Sequence, residues 1–148
     1  MRSGEAWVEL AIEGYQFPEM APIAGSFDHD ANWLQVRGAF SMNSVEWSFV
    51  DPCLMTVEAQ ELLDWLRAVS EGGSPEELWF TEPNLTFGLD ESDPEGVLLR
   101  VSFSHESALG KASETPDHIV LDLPLRDIES AADEWASELA AYPVRRNG

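Results

Sequence analysis

Between residues 5 and 13 apolar and polar side chains alternate crudely, the period of a strand with one face buried. The same reading marks strands at residues 33–42, 45–50, 78–81, 85–89, 97–105 and 118–123, with clusters of Gly, Pro, Asn and Asp between them. Two segments carry helical spacing instead. Val57, Leu62, Leu63, Leu66 and Val69 share one helical face that stops at Gly72 and Gly73. Ile128, Ala132, Trp135, Leu139 and Tyr142 recur at three and four before Pro143. The predicted order is three strands, a helix, four strands and a helix. Short turns between successive strands favour antiparallel pairing, and two amphipathic helices can cover one face. The expectation is a single α+β domain over residues 1–148, mostly an antiparallel β-sheet of about six or seven strands with both helices packed on one side.

Two short stretches punctuate this pattern. In W-S-F-V-D-P-C-L-M-T, Trp47 and Phe49 lie two apart and share a strand face, and Pro52, having no N–H to donate, is expected to end the pairing. Thr56 then reads as an N-cap, with Glu58 and Glu61 favoured in the first helical turn. Cys53 falls on the crossing from strand to helix. A nucleophilic cysteine needs an electropositive setting and a nearby histidine, whereas the local sequence supplies Asp51 and Glu58, so Cys53 reads as a packing residue. In T-E-P-N-L-T-F, Pro83 and Asn84 suit the centre of a turn from Glu82 to Leu85, letting Leu78 and Phe80 share a face with Leu85 and Phe87. A proline bulge on an edge strand is the rival geometry. In either case Glu82 has no catalytic partner within the motif.

Composition narrows the function. A chain of 148 residues with 6 Trp and 7 Phe can bury a core without metal or disulfide staples, and its 1 Cys cannot form an internal bridge. The sequence lacks a signal-peptide apolar core and any membrane-length apolar run, so a soluble, cytoplasmic protein is expected. Against 28 Asp and Glu stand 8 Lys and Arg, a net charge of -20. That field repels nucleic acid and anionic membranes and steers a basic protein inward; solubility is its plain alternative.

Phosphate loops, metalloprotease motifs, nucleophile elbows and paired-cysteine metal spacings are all missing from the sequence. The histidines are His29, His105 and His118. D-H-D at Asp28–Asp30 brings two carboxylates beside an imidazole, but neighbours on an extended chain point apart and a third ligand would have to come from elsewhere, so it reads as a solvated acidic loop. D-E-S-D-P-E-G reads as a hairpin loop between Leu89 and Val97. Asp28, Asp30, Asp90, Glu91, Asp93 and Glu95 are therefore candidate contacts for a basic protein, and no catalytic, cofactor or metal site is expected. The runner-up is a small acidic enzyme or ligand-binding domain whose carboxylates converge only in the fold.

One ordered set of motifs adds to this. G-Y-Q-F-P, N-W-L, E-W-S-F-V-D-P-C-L, E-L-L-D-W-L, E-P-N-L-T-F and L-D-L-P-L follow one another from Gly14 to Leu125 in an order that resembles the WapI-like immunity proteins. The resemblance implies a cytoplasmic, non-enzymatic protein that binds and neutralises the toxic C-terminal domain of a secreted polymorphic toxin, commonly a nuclease. It carries over no catalytic residues, and the shared motifs look like scaffold.

Overall fold

Antiparallel pairing through tight turns organises the chain, as the Asn43–Ser44 turn illustrates. Both residues have positive φ, 52° and 65°, the geometry of a two-residue hairpin turn whose twist matches its strands. The computed structural model describes residues 1–20, 28–104, 108 and 118–146. In chain order these form β1 (Arg2–Ser3), β2 (Ala6–Tyr15), α1 (His29–Asn32), β3 (Trp33–Met42), β4 (Val45–Met55) and α2 (Thr56–Ser70). There follow β5 (Leu85–Ser92), β6 (Gly96–Phe103), β7 (His118–Pro124) and α3 (Leu125–Ala140).

The fold is α+β, and its strands divide between two antiparallel sheets, ordered β1-β2-β3-β4 and β5-β6-β7. Alternation works as expected along β3, where Leu34, Val36 and Phe40 are buried, and along β6, where Val97, Leu99, Val101 and Phe103 are. An aromatic cluster joins the sheets: the Phe40 ring lies 4.0 Å from that of Phe103 and 5.6 Å from that of Phe49, and Trp47 meets Phe103 edge-on. At the far edge of the second sheet the Asp122 N–H donates to Ser3 Oγ, so β1 lies against β7. The helices pack on each other, with Trp135 buried between them and its indole N–H donating to the Ala59 carbonyl at 2.8 Å.

Four local expectations are corrected. Pairing does not end at Pro52: β4 runs on to Met55 because a bulge sets Pro52 and Cys53 together opposite Gln35, and the unpaired position tolerates a residue without an N–H. Thr56 is the first residue of α2 rather than its cap. Residues 78–81 are not a strand; Leu78 alone makes a bridge to Phe87, through hydrogen bonds of 2.8 and 3.2 Å. The hairpin loop between Leu89 and Val97 is shorter than expected, since β5 continues past a bulge at Asp90 through Glu91 to Ser92 and β6 begins at Gly96. Neither β1 nor α1 was legible in the periodicity, being too short to show one. His105 lies outside the described residues.

Candidate functional site

Among the described residues no buried side-chain polar atom lacks a partner, and three of them show what the sequence motifs build. Asn32 is fully buried; its amide donates to the carbonyls of Asp28 and Arg145, and its oxygen accepts from Arg145 N–H and the Thr56 hydroxyl, each at 2.8 Å. Arg145 in turn lays its guanidinium 3.5 Å from the Tyr15 ring centre and donates to the carbonyls of Phe17, Pro18 and Met20. Buried Glu58 accepts from Met55 N–H at the start of α2 and from Thr81 N–H at 2.6 Å, and Asn84 donates to Asp51. G-Y-Q-F-P, N-W-L and E-P-N-L-T-F are joints of the scaffold.

Cys53 belongs to the same interior. It is 1% exposed, and burial, reinforced by Asp51, pushes its thiol up to about 12. At neutral pH the sulfur is a neutral packing atom, not a nucleophile.

The six acidic candidates fall into two groups. Asp28 caps α1 by accepting from Ala31 N–H, and Asp30 is exposed in that helix, so D-H-D is a helix start rather than an extended loop. No group of metal-binding side chains occurs there or elsewhere among the described residues. Asn32 ties this group to the first turn of α2 through Thr56. The second group sits at the other end of α2: Ser92 of the β5–β6 hairpin touches Ser74, just beyond Gly73. The 15 residues of α2 separate the groups by about 22 Å at 1.5 Å per residue. Within the hairpin the acids differ. Asp93 holds the turn by accepting from Glu95 N–H and Gly96 N–H, Asp90 lies 3.4 Å from Arg100, and Glu91 and Glu95 are exposed with no ion pair among the described residues. Other arginines are likewise engaged, Arg37 with Glu13 and Arg67 with Asp133, which leaves the excess of carboxylates uncompensated.

Two features escaped the sequence reading. A cleft of about 860 Å³ opens between β2, β3 and α3, walled by Glu9, Glu134 and Glu138 over Val8, Leu62 and Leu66. One wall is already occupied, because Glu138 accepts from Ile12 N–H on β2 at 3.1 Å. Neither His29 nor His118, the histidines among the described residues, lines it. The other feature is Trp79, 62% exposed between half-buried Leu78 and buried Phe80. Its signal was present: Leu78 and Phe80 share a face with the core, and alternation sends Trp79 outward.

Comparison with known proteins gives one result. The family model described as "Immunity protein WapI-like family" matches residues 1–143. No curated protein and no solved structure matches the chain.

Proposed function

The chain belongs to the WapI-like immunity protein family, and from that premise we propose that it binds the C-terminal domain of a secreted polymorphic toxin in the cytoplasm and neutralises it stoichiometrically, without turnover. The observation that carries this reading is the match over residues 1–143, which takes in both sheets, α2 and α3. Charge supports a finer version. A nuclease domain presents positive charge to its substrate, so a chain of net charge -20, with Arg37, Arg67 and Arg100 engaged in internal ion pairs, meets such a domain quickly and screens the surface that holds nucleic acid. The contact set we propose is the exposed acid of the β5–β6 hairpin, Glu91 and Glu95 with Asp90 and Asp93 supporting it, joined by Asp28 and Asp30 where the partner is large enough to span α2.

The test is co-expression with the toxin-like domain encoded beside this reading frame. Growth should be rescued, the two proteins should elute together at one to one, and the isolated domain's nuclease activity should fall in proportion to added protein until equimolar. Rescue at strongly substoichiometric amounts, or degradation of the domain, would mean an enzymatic mode of action instead. The alternative of a small ligand in the carboxylate-walled cleft predicts that Glu134→Gln abolishes rescue while leaving the fold intact.

A further inference from the structure

The segment between α2 and β5 is not a slack loop. Gly73 N–H donates to the Ala68 carbonyl as α2 ends, the Trp65 indole donates to the Glu76 carbonyl at 2.9 Å, Leu78 pairs both ways with Phe87, and Thr81 N–H is held by Glu58. Phe80 is buried edge-on to Phe87. Ser74 meets Ser92 and Leu78 meets Phe87, so the segment runs antiparallel beside β5 from the hairpin end toward the first turn of α2. On this anchored backbone stands Trp79, the most exposed of the large apolar side chains among the described residues. Exposed Glu76, Glu77 and Glu82 flank it in sequence; Glu77 faces Arg100 at 3.6 Å, while Glu76 and Glu82 form no ion pair among the described residues.

An indole left in water contributes little to a folded monomer, whereas tryptophans are enriched among the few residues that dominate protein interfaces. Holding its backbone on both sides removes much of the ordering entropy that binding otherwise opposes. Glu76 and Glu82, within three residues of Trp79 and in no ion pair among the described residues, suit an arginine or lysine that lies over the ring while an acid takes its charge. From Phe87, beside Leu78, to the hairpin tip at Asp93 is six strand positions, about 20 Å at 3.3 Å each. A standard interface of roughly 800 Å² per partner is about 30 Å across, so both features fit within one.

We infer that Trp79 is the anchor of the toxin-contact surface, receiving an arginine or lysine of the basic toxin domain, with Glu76 and Glu82 framing it and the β5–β6 hairpin extending the same surface. The inference rests on the immunity reading above. It is tested with a catalytically inactivated form of the toxin-like domain encoded beside this reading frame, using surface-binding kinetics and calorimetry. Trp79→Ala should weaken binding at least about 30-fold through faster dissociation, with circular dichroism and thermal midpoint unchanged because the side chain packs against little. Trp79→Phe, which keeps a ring face, should recover much of the loss. Glu76→Lys should slow association more than Glu129→Lys, a charge-matched change on an exposed position of α3. Binding of Trp79→Ala within about 3-fold of the parent overturns the anchor and leaves the immunity function standing, and so does an equal effect of the two lysine changes. Failure of the unaltered protein to bind the domain at all overturns both.

Discussion

Among the described glycines Gly38 leaves the least room for a side chain, and substituting it with alanine tests whether the two sheets are locked by their aromatic cluster. It lies mid-strand in β3 opposite Phe49. A Cβ there would stand 2.3 Å from Phe49 Cε1 and 2.8 Å from Phe40 Cζ. Carbon atoms rest at about 3.5–4.0 Å, so the Phe49 ring would have to retreat by more than about 1 Å. It is stacked on Phe40, with centroids 5.6 Å apart, and Phe40 in turn meets Phe103 of the other sheet at 4.0 Å. The displacement therefore propagates across the inter-sheet contact. Overpacking of this kind costs about 1–3 kcal/mol, offset by about 0.5–1 kcal/mol because alanine suits a strand better than glycine. Gly38→Ala should lose roughly 1–2 kcal/mol net, lowering the urea midpoint by about 0.5–1 M at a slope near 2 kcal/mol per molar. Phe49→Leu shortens the offending group. In a double-mutant cycle the combined loss should fall short of the sum by at least about 0.5 kcal/mol. A raised midpoint for Gly38→Ala, or strictly additive losses, would refute the reasoning.

Trp135, 5% exposed and bonded to Ala59, should cost about 3–5 kcal/mol when cut to alanine, and an unmoved denaturation midpoint would contradict the docking of α3 on α2. Cys53→Ala should keep activity and lose roughly 1 kcal/mol. Because the Cys53 thiol is raised from 9.0 to about 12, its contribution is complete below pH 9.0 and declines as pH rises toward about 12, at up to about 1.4 kcal/mol per pH unit. Urea melts across that window should show a shallower decline for Cys53→Ala than for the parent; identical slopes would contradict the burial argument. Raising salt should slow association with the toxin domain far more than it speeds dissociation, and Glu91→Gln with Glu95→Gln should flatten that dependence, whereas an unchanged salt slope would make the hairpin a solvated turn. Adding Asp90→Asn and Asp93→Asn should also lower stability, since these two hold Arg100 and the turn.

The periodicity made the α+β class, the long helices and the principal strands legible, because one-sided burial imposes a regular pattern on any element of several residues. It failed where a partner element decides the outcome. Pro52 stops a strand only if its missing N–H is needed, and the bulge opposite Gln35 removes that need. Thr56 has the chemistry of a cap, but its hydroxyl donates to Asn32, and at the start of α2 Glu58 accepts from the Met55 N–H instead. The division into two sheets depends on the contact of Phe40 with Phe103, more than sixty positions apart by their numbers, which local pattern cannot encode. The acidic character of the surface was plain from composition, but which carboxylates remain available was not. Asp90 and Asp93 look the same as Glu91 and Glu95 in sequence, and only the positions of Arg100 and of the turn N–H groups distinguish them. Trp79 was hidden inside an apolar triplet whose outer members are core.

The Arg145 clasp has a consequence for timing. Its guanidinium and the Phe17 carbonyl it holds are separated by 128 positions along the chain. Contacts between such distant positions are reached late, because the entropy of closing the intervening loop opposes them until other structure has shortened it. The β2-β3-β4 meander and α2 need only neighbouring segments, and they can assemble while the polypeptide is still growing from its N-terminal side. The Glu138 bond to Ile12 and the Arg145 clasp have to wait until synthesis has passed both residues. A nascent chain thus holds a meander whose Phe17, Pro18 and Met20 carbonyls still lack Arg145, and the contacts of Glu138 and Arg145 come last. For a protein proposed to neutralise its partner one to one, the interval that matters is the time to complete the polypeptide as far as Arg145, because each new molecule counts only after that.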